Sequence, residues 1–410
     1  MSTTPEHLQQ QFQSQREWIP QAWAYQDHGA TRDLRLDLMR GFVIPLLFAS
    51  HFDFFSALMY IGWERIGVVS TAEIFVILAG IVVGMVYGKR VKADGLSAAL
   101  PKIMDRAVEL YRASVLMILA VALIRYVPQI DATIITTFFS PYENKTYPLY
   151  PPLEAGFATL VSKALLLQIS PHQFQIVGMY VAMFILFTPA AFFLLARGRW
   201  KLLMAISWGL YLINSGAPES LRPLNMQYEY AFPTLAWQLV YVHGMMVGYY
   251  KKEIISFFET NPGKWVIYVC IALSVLFALF SWNHPMREFS DMRLHMIPND
   301  TFHYLYNTYF QKNTLGIARL INATVLFIAI YAILTRCWQP INRALGWYLI
   351  PLGQASLYVF IMHIPLLLLV YNTPFPGYKD FWVNTLLHLL ILAVIWIMVK
   401  KEFLFRWIPR

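Results

Sequence analysis

The sequence predicts an all-α integral membrane protein, a polytopic bundle of about ten transmembrane helices with both termini in the cytoplasm. Of the 410 residues, 58% are hydrophobic and only 13% are charged, and the mean hydropathy is +0.49. Soluble domains carry about 25% charged residues, so the composition excludes a soluble globular enzyme. The apolar runs are continuous and ~20 residues long, as membrane-crossing helices require, whereas barrel strands would show alternation.

Apolar periodicity divides the chain into a tail and a membrane domain. Residues 1–34 are polar and glutamine-rich and form a cytoplasmic tail, while residues 35–410 form the transmembrane domain. Within that domain, residues 152–169 are interpreted as an interfacial or re-entrant helix. The ten predicted spans are about 38–58, 70–88, 107–127, 173–196, 201–214, 233–250, 264–281, 315–335, 346–370 and 382–400.

The placement of Lys and Arg predicts the orientation. The formal net charge is +9, and most of the 32 basic residues cluster at one set of span ends. These clusters include residues 89–112, 251–264 and 400–410, together with the arginines that precede the first span. Basic loops mark the cytoplasmic side. The basic excess is therefore a topology signal, and we expect membrane lipid and not nucleic acid as the partner.

The first predicted span carries Asp37, Arg40 and His51 on one face. Eleven residues separate Arg40 from His51, about three turns plus 20° of an α-helix, and raise the histidine by about 16 Å. This places Arg40 at the cytoplasmic surface and His51 beyond the midplane. Ionisable groups at such depths are costly and indicate function. The alternatives are a core histidine at position 51 and a topology charge at Arg40 neutralised by Asp37.

Two further ionisable groups are predicted to join His51 in the outer half of the membrane. Glu73 follows Ser70 at the start of the second span, where it also suits helix capping. His363 lies in the ninth span, about 25 Å from the inner face, and an alternative role is to brace the backbone freed by Pro365. His51, Glu73 and His363 are therefore the candidate acid/base cluster.

A second cluster is predicted at the inner face, where Arg106 and Arg112 enter the third span near Arg40 and Asp37. Cations there suit the phosphates of a cytoplasmic donor, and a histidine base outside suits a hydroxyl acceptor. The alternative is that Arg106 and Arg112 are topology charges only. We expect no metal site, because His284, His295 and His303 lack regular ligand spacing.

Two segments carry a family resemblance. Arg40 followed by His51, with Gly41 after the arginine, and the late segment SLYVFIMHIP resemble signatures of the acyltransferase 3 superfamily. RDLRLDLMRG, SHFD and STAEIFVILAGIVVGMVYG resemble the OpgC family, although that family usually has Leu-Ser-Gly where this chain has Leu78-Ala79-Gly80. The superfamily's paired arginines are here Arg106 and Arg112, wider apart. The resemblance implies a bacterial inner-membrane enzyme that O-acylates periplasmic glucans, typically with succinyl groups, from acyl-CoA.

The sequence therefore predicts an O-acyltransferase in which His51 deprotonates the acceptor hydroxyl, assisted by Glu73 or His363, while Arg40 positions acyl-CoA. Transfer is predicted to be direct, because Ser50 faces about 100° away from His51. The alternative is a proton-coupled secondary transporter of an organic anion, although the two halves show no inverted repeat. The acyl group, the sugar hydroxyl and the oligomeric state stay open.

Overall fold

The computed structural model describes residues 20–26, 32–52, 54–62, 64–140, 144–216, 221–285, 292–373 and 380–410. Most of the predicted tail, residues 1–19 and 27–31, lies outside them. The described residues are mainly helical, and one hydrophobic core runs through the bundle. In chain order the helices are α1 Leu34–His51, α2 Thr71–Ile124, α3 Thr133–Thr136, α4 Phe157–Leu165, α5 His172–Leu195, α6 Trp200–Gly216, α7 Thr234–Tyr249, α8 Lys251–Glu259, α9 Asn261–Ser281, α10 Asn299–Tyr309, α11 Ile317–Arg336, α12 Trp338–Gln354, α13 Ser356–Tyr371 and α14 Phe381–Lys400.

Several helices can cross a membrane. By length and composition α2, α5, α9, α11 and α14 are long and apolar enough, and the bent pair α12 and α13 makes a sixth candidate. The predicted helical membrane protein is thereby confirmed in outline, while the number ten stays a prediction. Helix α4 has nine residues, about 14 Å, and is too short to cross a bilayer.

Helix α2 is a hairpin of two arms that meet at Gly95. Gly95 has φ 82°, a conformation that favours glycine. The Tyr87 hydroxyl lies 3.5 Å from the Lys102 carbonyl oxygen, whereas a straight helix would separate these residues by about 22 Å. The chain therefore turns back at Gly95, so the predicted second and third spans are the two arms of α2.

Helices α1 and α12 touch backbone to backbone. A Cβ on Gly41 would lie 1.9 Å from the Leu349 carbonyl oxygen, and one on Gly353 would lie 1.8 Å from that of Asp37. Small residues allow such close approach of helices. The contact fixes the end of α12, and so the start of α13, beside the first half of α1.

The structure adds two details to the predicted fold. Residues 346–370 were predicted to form one span, and within this range the chain leaves the helical conformation at Ala355, where α12 and α13 meet with a bend of 85°. The packing of Gly353 against α1 holds this break. In addition, the segment between α3 and α4 contains a two-stranded antiparallel sheet, β1 Thr137–Ser140 and β2 Lys145–Pro148, where aromatic and β-branched residues favour strands.

Candidate active site

The two histidines that were predicted to be catalytic, His51 and His363, contact each other. His51 ends α1 and His363 lies in the middle of α13, and the Nδ1 atom of His51 is 3.1 Å from Nε2 of His363. Their ring centroids are 5.1 Å apart. Helices α1 and α13 run in the same direction, because Ser356 and His363 of α13 contact Arg40 and His51 of α1 in the same order. The predicted convergence of these two side chains is confirmed.

The hydrogen bonds assign the tautomers of both rings. His363 Nδ1 lies 2.6 Å from the Phe360 carbonyl oxygen, which can only accept, so Nδ1 carries the proton. In the neutral ring Nε2 of His363 is then an acceptor, and His51 Nδ1 must donate to it. The Nε2 atom of His51 is left with a lone pair, and no residue that the structure describes donates a hydrogen bond to it. His51 is therefore an oriented base with the geometry of the histidine in a catalytic triad.

Of the two paired histidines, only His51 is accessible to a second molecule. His363 is fully buried, and Phe48 and Phe360 pack against its ring. His51 is half-buried, so its outward edge can meet a second molecule. The neighbouring Ser50 donates to the Leu47 carbonyl oxygen at 2.9 Å and does not contact either histidine. Of this group, His51 alone has the geometry of a base that can reach a substrate.

Glu73 has different partners from those predicted for an acid/base cluster. Its Oε1 accepts from Arg319 at 2.9 Å, and its Oε2 accepts from the Ser70 backbone N–H at 2.8 Å and from the Ser70 hydroxyl. The carboxylate is fully buried, and within the described chain it makes no hydrogen bond to His51 or His363. These contacts give Glu73 the helix-capping role that was the alternative, together with a buried ion pair.

Arg319 is the important residue that sequence reasoning missed here. It is fully buried on α11, and besides Glu73 it binds Glu64 at 2.5 Å and the Phe310 carbonyl oxygen at 2.7 Å. The Tyr306 hydroxyl donates to Glu64 at 2.8 Å. An arginine within the apolar run that begins IARLINATVLF is a signal that could have revealed it, because a charge in such a run needs a partner.

The guanidinium of Arg40, the centre of the predicted cationic cluster, lies closer to the histidines than the backbone of Arg40 does. Arg40 donates to the Ser356 hydroxyl at 2.5 Å, and Ser356 lies seven residues before His363 on α13. Seven residues correspond to about 10 Å, compared with the 16 Å that separates the backbones of Arg40 and His51. The Arg40 side chain therefore extends along the bundle toward the histidine pair.

The other residues predicted at the inner face differ in whether they lie near Arg40. Asp37 pairs with Arg32 through two 3.2 Å hydrogen bonds and lies within electrostatic range of Arg40. Arg106, paired with Glu109 at 2.5 Å, is also an electrostatic neighbour of Arg40. Arg112 is exposed and makes no hydrogen bond or ion pair with any residue that the structure describes. The structure brings Asp37 and Arg106 to Arg40 and leaves Arg112 apart.

A buried ion pair anchors the start of α1. Asp33 caps the helix and binds Arg35 at 2.8 Å, Lys251 of α8 at 2.8 Å and the Tyr331 hydroxyl at 2.9 Å. Burial opposes the ionisation of Asp33, but the hydrogen bonds and charges of Arg35 and Lys251 prevail and lower its pKa to about 2. These bonds tie α1 to α8 and α11 below Arg40.

Two further polar groups are electrostatic neighbours of His51. His172, at the start of α5, and Lys312, which is exposed, are both within electrostatic range of His51. The His172 ring packs against Phe138 of β1 at 4.6 Å between centroids. Within the described residues, no group of three or more His, Cys, Asp or Glu side chains could hold a metal ion.

Comparison with known proteins gives one match. No curated protein and no solved structure matches this chain. A family model described as OpgC protein matches residues 32–407, a range that contains both histidines, Arg40 and nearly all of the predicted membrane domain. The chain therefore belongs to the OpgC protein family.

Proposed function

We propose that this protein is a membrane O-acyltransferase that moves an acyl group, typically succinyl, from cytoplasmic acyl-CoA to a hydroxyl of a periplasmic glucan. Membership of the OpgC family indicates a glucan-modifying acyltransferase. The observation that best supports a catalytic role is the free Nε2 lone pair of His51, held in place by His363. The donor, the acyl group and the direction of transfer are parts of the proposal.

In this mechanism His51 handles one proton. Its Nε2 atom accepts the proton of the glucan hydroxyl while the hydroxyl oxygen forms a bond to the thioester carbonyl carbon. His363 accepts the Nδ1–H of the resulting imidazolium, which keeps the ring in position. As the carbon–sulfur bond breaks, His51 returns its proton to the departing thiolate. No acyl-enzyme is required, which agrees with the engagement of Ser50 by the Leu47 carbonyl oxygen.

The two ends of the site suit two substrates. Arg40, Arg32 and Arg106 make the far end cationic, which suits a donor carrying phosphates. The His172 and Phe138 pair lies at the other end, and aromatic faces suit sugar rings. In the proposed orientation the chain spans a bacterial inner membrane about ten times, and the Arg40 end faces the cytoplasm.

The proposal is tested by mass spectrometry of periplasmic glucans from cells with and without the gene. Acyl substituents should be present with the gene and absent without it, and a plasmid carrying His51→Ala should not restore them. Unchanged glucans would contradict the proposal. Loss of organic-anion uptake by the deletion strain, with normal glucans, would favour the alternative of a secondary transporter.

A further inference from the structure

Tyr180 has a buried hydroxyl that nothing described in the protein satisfies. The residue lies on α5, three positions before the π-helical turn Met183–Phe187, and its hydroxyl has no hydrogen-bond partner among the described residues. Buried hydroxyls are nearly always bonded, and an unsatisfied one costs stability. π-Helical turns are frequent at functional sites. The hydroxyl is therefore a candidate for contact with a substrate.

Arg40 is an electrostatic neighbour of Tyr180 and gives its hydroxyl a chemical setting. Arg40 is half-buried and uses one guanidinium nitrogen on Ser356, so its other N–H groups can bind a further acceptor. Together they offer several donors, and Tyr180 also offers an acceptor.

The position of the Arg40 guanidinium along the bundle decides which part of a bound acyl-CoA lies near Arg40 and Tyr180. The Arg40 guanidinium is held at Ser356, about 10 Å along α13 from the histidine that binds His51. An extended chain advances about 1.2 Å per bond. In a donor whose thioester sulfur lies at His51, the carbonyl carbon of the second pantetheine amide is eight bonds away, about 10 Å. The nearest phosphorus is thirteen bonds away, about 16 Å.

We propose that Arg40 and Tyr180 bind the second amide and the adjacent hydroxyl of the donor's pantetheine arm, and that the phosphates lie farther out near Arg32 and Arg106. This inference depends on the proposed function, because it assigns groups of the same donor. It departs from the sequence-based expectation that Arg40 meets the phosphates, because the bond to Ser356 draws the guanidinium toward the histidines. Arg32 lies beyond Asp37, on the side away from His51.

Three donors with the same acyl group test whether Tyr180 contacts the second amide, the phosphates or neither. They are succinyl-CoA, succinyl-pantetheine and succinyl-N-acetylcysteamine. The second lacks the phosphates next to the arm, and the third also lacks the second amide. Purified Tyr180→Phe protein should lose about 3- to 10-fold in kcat/KM with the first two donors, the effect of one hydrogen bond, and nothing with the third. The matched control is Tyr358→Phe, because the buried Tyr358 hydroxyl also has no hydrogen-bond partner among the described residues but its ring packs against Phe405 at 4.7 Å.

The other outcomes overturn the inference. A defect with succinyl-CoA alone would place Tyr180 at the phosphates. An equal defect with all three donors would give Tyr180 a structural or chemical role, and no defect would mean that water satisfies its hydroxyl. A wild-type protein that uses none of the donors would refute the proposed function and this inference with it. A wild-type protein that is active but shows no Tyr180 effect would refute this inference alone.

Discussion

Nδ1 of His51 lies 3.1 Å from Nε2 of His363, and the bond from His363 to the Phe360 carbonyl oxygen orders the protons along this line. The contact joins the ends of two sequence segments more than 300 residues apart. His363 bonds to the Phe360 carbonyl oxygen of its own helix through Nδ1, and this bond leaves Nε2 with the lone pair that orients His51.

The first prediction concerns His363 as a positioning residue. His363→Leu removes the acceptor for His51 Nδ1–H, a bond to a group that becomes charged, and should lower kcat about 10- to 150-fold with little change in the KM for acyl-CoA. His363→Gln offers an amide oxygen and should recover part of the loss. Steady-state kinetics of the purified variants decide this, with the exposed His303→Gln as control. Equal damage by Leu and Gln would argue for a purely structural role.

The second prediction concerns Glu73. Its carboxylate is engaged with Arg319 and Ser70, so Glu73→Gln should lower the free energy of unfolding by about 1–3 kcal/mol while each folded molecule keeps its turnover. Thermal unfolding in detergent and activity per folded protein measure the two effects, and the exposed Glu259→Gln is the control. If Glu73 assists catalysis, as the sequence suggested, the variant will instead be stable and slow.

The third prediction concerns pH and Asp33. Because folding lowers the pKa of this carboxyl from 3.8 to about 2, its ionised form stabilises the protein by about 2 kcal/mol above about pH 4. This contribution is lost as pH falls from about 4 through about 2. The Tm gap between wild type and Asp33→Asn should therefore be constant above pH 4 and shrink below it. A gap that stays the same in acid would show that the ion pairs with Arg35 and Lys251 do not stabilise α1.

The fourth prediction concerns orientation. In a variant without Cys270 and Cys337, Lys102→Cys should react with a membrane-impermeant maleimide only after cells are opened. Lys145→Cys and Asn307→Cys should react in intact cells. Basic loops stay in the cytoplasm, and these two positions are predicted to lie on the opposite side of the membrane. All three positions are exposed. The reverse pattern would invert the assignment of the donor and acceptor ends.

The stripe of Arg40 and His51 was predictable, because helical periodicity alone puts them on one face. The meeting of His51 with His363 was predictable from depth together with the family signature. The bend at Ala355 was not, since it depends on the backbone contact between Gly353 and Asp37, and no local signal in Gly-Gln-Ala-Ser specifies such a partner.

Partners far apart in sequence explain the remaining differences. Glu73 was predicted to be catalytic because its neutralising partner, Arg319, lies 246 residues away and no local pattern links the two residues. Tyr180 gave no signal, because tyrosine is common in apolar helices and only the packed structure shows that its hydroxyl has no described partner. Burial and pairing are properties of the tertiary fold, so composition and spacing could not assign these roles.

The most direct test of the central claim is turnover by purified His51→Ala protein with acyl-CoA and glucan. General-base catalysis contributes about 10²–10⁴-fold, so the variant should lose that much transfer while its unfolding temperature stays near that of wild type. Ser50→Ala removes a hydroxyl that bonds, among the described residues, to the Leu47 carbonyl oxygen, and this variant should transfer at the wild-type rate. Release of coenzyme thiol and the mass of the glucan measure the reaction. Near-normal transfer by folded His51→Ala protein would contradict the account.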